Sequence, residues 1–217
     1  MKKLPIAPEG WAFILPFLIL TAVALLMQLY VAATMLGLAT LFLLNFFRDP
    51  GRRGSERSLD VLSPADGTVI AIREIETPPW EGLTRQISIF MSVFDVHVNR
   101  APLTGEVIHY QYNPGKKIAA FSDKSSTDNE QNLIVLRAEG GREIALKQIA
   151  GLLARRIVFD LEVGNRVARG ERIGMIKFGS RVDLFLHPSS EVLVKLRDKV
   201  KVGQTVVARL PKQEVTE

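Results

Sequence analysis

Three short stretches of this sequence gather side chains that can do chemistry. The first is Ser63-Pro64-Ala65-Asp66-Gly67, in which proline fixes one turn dihedral and glycine frees the next, so Asp66 stands on a stiff corner. The second, Phe94-Asp95-Val96-His97-Val98-Asn99-Arg100-Ala101-Pro102, puts an acid, an imidazole, an amide and a guanidinium side by side. In extended geometry Asp95, His97 and Asn99 share one face, and a histidine titrating near neutrality is a natural proton carrier. The third runs from Gly174 to Pro188 and contains Gly179-Ser180 inside what otherwise reads as a continuous strand pair. Glycine there permits an unusual backbone and the close approach of another group. Each stretch also has a plain structural explanation: an Asp-Gly turn, a hydrogen-bonded core histidine, a tight β-turn.

Composition narrows the chemistry. The chain has 217 residues, no cysteine, and three scattered histidines at His97, His109 and His187. Disulfides, thiolate metal sites, iron–sulfur clusters and cysteine nucleophiles are therefore excluded. A three-histidine centre would need all of the imidazoles, so no metal is expected. The formal charge of +5 is mild and aromatic residues are few, which gives no sign of a nucleic-acid partner.

The elements that must position these groups fall into two textures. Trp11 through Phe47 carries no charged side chain. As one helix it would run about 55 Å, against a hydrocarbon thickness of roughly 30 Å. Two short helices turning near Gln28-Leu29-Tyr30 fit better. Lys2 and Lys3 precede the stretch, and Arg48, Arg52, Arg53 and Arg57 follow it, so both flanks belong on the cytoplasmic side. Residues 1–47 thus read as a membrane-anchoring hairpin and residues 48–217 as a second domain. A signal peptide fits less well, because the run is too long and no small-residue cleavage site ends it. Beyond residue 58, short apolar runs are punctuated by Gly, Pro and Asp, around Gly67–Ile72, Gln86–Met91, Gly105–Tyr110, Gln131–Leu136 and Glu143–Lys147. They predict strands of a mainly β domain, a compact sandwich or barrel, with a helix in part of 149–157 and an exposed loop over 122–132.

Taken together, SPADG, DVHVNRAP and FGSRVDLFL, in that order behind an apolar N-terminus, resemble phosphatidylserine decarboxylase proenzymes of the short bacterial type. The resemblance implies self-cleavage between Gly179 and Ser180, giving a membrane-bearing chain of residues 1–179 and a partner chain of 180–217. Ser180 would become an N-terminal pyruvoyl group, the covalent cofactor, with His97 as base and Asp66 as its partner. It further implies that phosphatidylserine in the membrane forms a Schiff base with that group and leaves as phosphatidylethanolamine. The enzyme would be a lyase of phospholipid biosynthesis at the plasma membrane, its catalytic domain on the cytoplasmic side. A homodimer stays open, and Arg100 and Arg181 are alternative holders of the lipid phosphate.

The longer members of the family carry two histidines three apart in the middle motif; here the second position is Arg100. The division of processing and turnover between two histidines therefore does not carry over. Asp95 rivals Asp66 as the partner of His97, while His187 and His109 read as structural. A second pattern, Glu162 to Gly174, resembles the strand–turn repeat of lipoyl and biotinyl carrier domains and suggests a barrel-sandwich-hybrid core. Lys177 does not match a carrier lysine hairpin, so a non-catalytic membrane-anchored module of that fold ranks below the decarboxylase. Decarboxylation of another serine phospholipid, such as archaetidylserine, is the other alternative.

Overall fold

The computed structural model describes residues 5–115, 129–151, 157–176 and 180–212. Two compact units divide the chain, Met1–Gly51 and Arg52–Glu217.

In the first unit the uncharged stretch forms two helices, α1 (Trp11–Leu26) and α2 (Tyr30–Phe46), broken where the sequence suggested, with Gln28 in the left-handed region at φ 59°. Small side chains line the contact between them. Ala24, Ala33 and Thr40 are buried, and a Cβ on Gly37 would meet the Thr21 methyl at 3.8 Å. Such residues let two helices approach without a hydrophobic drive from water. The hydroxyls of Thr21 and Thr40 donate back to the carbonyls of Phe17 (2.7 Å) and Leu36 (2.8 Å), which removes their polarity from the surface. The open end is stapled: Ala7 N–H donates to Phe47 O and Asp49 N–H to Pro5 O, both at 2.7 Å, and the Phe13 and Phe47 rings stack. Leu18, Ile19, Leu26, Val31, Met35 and Leu41 point outward and are exposed. A helix pair that is apolar on all sides suits a lipid solvent. Pro8–Leu26 is long and apolar enough to cross a membrane.

The described residues of the second unit are mainly β, with one short 3-10 turn at Glu139–Gly141. An eight-stranded antiparallel sheet runs in the order Lys199–Val200 (β13), Gly67–Glu74 (β2), Arg85–Met91 (β3), Ser180–Leu186 (β11), Glu143–Ala150 (β7), Gln131–Arg137 (β6), Gly105–Asn113 (β5) and Arg166–Val167 (β9). Two three-stranded sheets accompany it. One joins Asp60–Leu62 (β1), Val206–Arg209 (β14) and Glu191–Val192 (β12); the other joins Val98–Arg100 (β4), Arg172–Ile176 (β10) and Ile157–Phe159 (β8). Alternate residues of the large sheet, among them Ile87, Ile89, Ile134, Leu146, Val182 and Leu184, enclose one apolar core with residues of the small sheets. The opposite face holds Leu133, Val135, Ala145 and Phe185, partly covered by Trp80 and Ile75. Strands buried on both faces lose the period-two alternation, as at the end of β11, where Leu184, Phe185 and Leu186 are consecutive and all buried. The chain is thus mainly β with an N-terminal helical hairpin.

The structure differs from expectation at three places. Ile149 and Ala150 belong to β7 and Ile157 opens β8, so no helix is found at the described ends of 149–157; residues 152–156 lie outside the described ones. The expected loop over 122–132 ends earlier, because Gln131 and Asn132 are buried in β6, while 122–128 lie outside the described residues. Asp95, His97 and Asn99 do not share one strand. Ser92–Asp95 is a turn, in which the Asp95 carboxylate accepts from Ser92 N–H (2.8 Å) and Oγ (2.7 Å), and β4 begins only at Val98.

Candidate active site

Ser180 is the first residue of β11, hydrogen-bonded in register between Met91 of β3 and Ala150 of β7. It is fully buried, and among the described residues its Oγ has no hydrogen-bond partner. Burying a hydroxyl unsatisfied costs free energy, so such an atom asks for a role. Ile176 ends β10 in one sheet and Ser180 opens β11 in another, four residues later. Gly179 and Lys177 fall in that interval and lie outside the described residues.

His97 sits beside the strand that leads toward Ser180. Its carbonyl accepts from Ile176 N–H at 3.3 Å, and the next residue, Val98, pairs with Met175. The ring is fully buried, with Nδ1 at 3.0 Å from the Asp95 carbonyl oxygen. A carbonyl can only accept, so Nδ1 carries the hydrogen, and in the neutral form of the ring the lone pair is then at Nε2. The contribution of Asp95 is therefore its backbone, while its carboxylate closes the preceding turn.

Asp66 is engaged elsewhere. Arg52 grips it with both terminal nitrogens, Nη1 on Oδ1 and Nη2 on Oδ2 at 3.0 Å, and Val202 N–H donates to Oδ1 at 2.7 Å. A bidentate guanidinium fixes a carboxylate in orientation as well as position. Among the described residues these are the partners of Asp66, so the expected His97–Asp66 contact is not formed. The corner itself is tight. Ser63 Oγ donates to the Ala65 carbonyl at 2.6 Å, and Gly67 has φ +148° with a notional Cβ only 2.1 Å from the Phe90 carbonyl oxygen. No side chain fits there.

The corner touches β4 directly, because the Pro64 carbonyl accepts from Arg100 N–H (3.2 Å) and from Asn99 Nδ2 (3.3 Å). Arg100 then turns away, donating from Nη1 to the Gly170 carbonyl at 2.8 Å, whereas Asn99 reaches inward. Arg181 lies on the opposite face of β11 from Ser180, being adjacent in a strand. Its Nε donates to Asp183 at 2.6 Å and its Nη2 to Ser88 at 2.9 Å, with 1% exposure. A guanidinium so enclosed is a structural ion pair, not a surface for a phosphate. Lys147 shares that face; burial pushes its ammonium below the ordinary lysine value, opposed by Asp183 and helped by Arg181. His109 packs on Trp80 in β5, and His187 bonds Ser189 on the surface, both away from Ser180.

Arg52, Gln148 and Asn132 had no local signal. Arg52 read as one of a basic run, and the two amides sit inside apolar strands, where a lone Gln or Asn on the core-facing parity is the only hint.

A family model described as phosphatidylserine decarboxylase matches residues 39–208. The chain is 46% identical to a protein of Symbiobacterium thermophilum named phosphatidylserine decarboxylase proenzyme, over 97% of this chain and 98% of that one. Proteins of the same name from Pelobacter propionicus and Aromatoleum aromaticum are 44% and 43% identical, covering 96% and 95% of this chain and 98% and 96% of theirs.

Proposed function

Because the chain belongs to the phosphatidylserine decarboxylase family, we propose that it is made as a precursor, cuts itself between Gly179 and Ser180, and then removes carbon dioxide from phosphatidylserine. The observation that carries this reading is Ser180 Oγ, a fully buried hydroxyl with no partner among the described residues at the head of a buried strand. That orphaned atom suits a residue destined to be converted into a ketone, which donates no hydrogen bond.

The chain's own residues account for the processing. His97 Nε2 takes the proton of Ser180 Oγ, and the oxygen bonds to the Gly179 carbonyl carbon as the amide nitrogen leaves, accepting a proton. The resulting ester breaks when the Cα proton of residue 180 is removed; Gly179 departs as the new C-terminal carboxylate. The unsaturated residue 180 hydrolyses to the pyruvoyl ketone with release of ammonia. In turnover that ketone supplies the electron sink for the pair left behind by carbon dioxide. His97 Nε2 then delivers a proton to the carbon that lost its carboxylate, while the hydrogen bond at Nδ1 holds the buried ring in place. Asp66, held by Arg52, acts through the corner: it keeps the Pro64 carbonyl against β4, and so keeps His97 beside Ile176. The N-terminal hairpin holds the domain at the bilayer that contains the lipid, the plasma membrane with the domain on the cytoplasmic side.

Ser180→Ala tests the assignment. It should leave one uncut, inactive chain, whereas wild type incubated with radiolabelled phosphatidylserine and borohydride should carry label on the fragment beginning at residue 180. Label retained on an uncut chain, or activity in Ser180→Ala, would overturn it.

A further inference from the structure

Three fully buried amides join in a chain that ends at the elements flanking Ser180. Asn132 Nδ2 donates to Gln148 Oε1 at 2.9 Å, Gln148 Nε2 donates to Asn99 Oδ1 at 2.7 Å, and Asn99 Nδ2 donates to the Pro64 carbonyl at 3.3 Å. The direction of this chain is set by its last member. A carbonyl only accepts, so the Asn99 amide must present its NH2 to Pro64 and its oxygen to Gln148, and the other two follow. Asn99 Nδ2 also lies 3.7 Å from Met91 Sδ, and Met91 is the cross-strand neighbour of Ser180. Gln148 stands on the core-facing side of β7 two residues before Ala150, the other neighbour of Ser180, which makes it a diagonal neighbour.

One side chain therefore touches the Asp66 corner, the strand on one side of Ser180 and, through Gln148, the strand on the other. It also lies two residues from His97. The Arg100 guanidinium goes to Gly170; the polar group that this segment buries beside the corner is Asn99.

We propose that Asn99 is a positioning residue for self-cleavage, holding β4 and His97 in register with the strands that frame Ser180 through the directed Asn132–Gln148–Asn99 chain. The proposal rests on the assignment of Ser180 as the cleaved residue. Three buried amides linked to one another stabilise the fold in any case, so the test must separate register from stability.

Full-length protein is synthesised in a pulse, and its conversion to two chains is followed by denaturing gel. Thermal midpoints are measured in a Ser180→Ala background. Asn99→Leu is compared with Val107→Ala, a core truncation in β5 that is remote from the chain of amides. At comparable loss of thermal midpoint, Asn99→Leu should cleave at least about tenfold more slowly than Val107→Ala, a misplacement effect of the kind expected from loss of alignment. The triple variant Asn99→Leu, Gln148→Met, Asn132→Leu leaves no partner stranded, so its midpoint should recover toward wild type while its cleavage stays slow. Asn99→Leu cleaving no more slowly than Val107→Ala, or the triple variant cleaving at the wild-type rate, overturns the proposal. Cleavage persisting in Ser180→Ala alone would instead overturn the assignment of Ser180.

Discussion

Nδ1 of His97 lies 3.0 Å from the backbone carbonyl oxygen of Asp95. The carboxylate of the same residue faces the other way and caps the turn at Ser92. The carbonyl fixes the imidazole tautomer and survives any substitution at position 95, so the two side chains should separate cleanly under mutation. His97→Gln should lower chain cleavage or lipid turnover by about a hundredfold or more, as loss of a proton carrier does. Asp95→Ala should cost about 1 kcal/mol from the lost turn contacts and leave both rates close to wild type. Equal damage from the two would show that the Asp95 carboxylate acts on the histidine.

Arg52 and Asp66 form one unit, with both oxygens of the carboxylate engaged by one guanidinium. Removing either partner should cost about 2 kcal/mol for a partly buried charge-assisted pair and slow cleavage to a similar degree. The double variant Arg52→Gln, Asp66→Asn should be scarcely worse than either single one, because residues acting through one contact are not additive. Asp66→Asn proving far slower than Arg52→Gln in a cleavage time course would mean that Asp66 reaches the chemistry directly.

The fold and the site were legible in the sequence to different depths. An uncharged run too long for one span forced a break, and the break falls at Gln28. Strands such as β2 and β3 announced themselves by β-branched residues between turn signals. The Ser180 motif and the His97 motif were visible because their residue types are chemically distinctive. The partners of those residues were not. Arg52 meets Asp66 and Gln148 meets Asn99 across separations that only the sheet topology creates, and local pattern carries no register between distant strands. Asp95 misled because period-two reasoning presumes a strand, and the side-chain bonds to Ser92 made a turn there instead.

The hairpin makes its own prediction. Its helices of 16 and 17 residues span about 24–26 Å, so an inserted hairpin would place Leu18 deep in the hydrocarbon and Met27 near its far edge. Leu18→Lys should therefore weaken flotation with vesicles by an amount on the order of 3 kcal/mol, and Met27→Lys by much less. The reverse order, or no loss from either, would contradict insertion of the hairpin.

Asp60 gives a pH dependence remote from the site. Ser55 Oγ donates to it at 2.6 Å and, with Arg209 and Arg57, holds its carboxyl below the ordinary carboxylate value, against a smaller opposing effect of burial. On acidification the unfolded chain takes up that proton first, so the contribution is complete above the usual carboxylate range and is lost as pH falls through the folded-state value. Asp60→Asn should consequently lower the thermal midpoint at neutral pH, and the gap to wild type should close in acid. A gap that widens on acidification would reverse the assigned direction.

Intact-mass measurement of the purified wild-type protein tests the central claim most directly. The expected result is two chains, residues 1–179 ending in a free carboxylate and residues 180–217 beginning with a pyruvoyl group in place of serine. A single 217-residue chain that decarboxylates phosphatidylserine would contradict it.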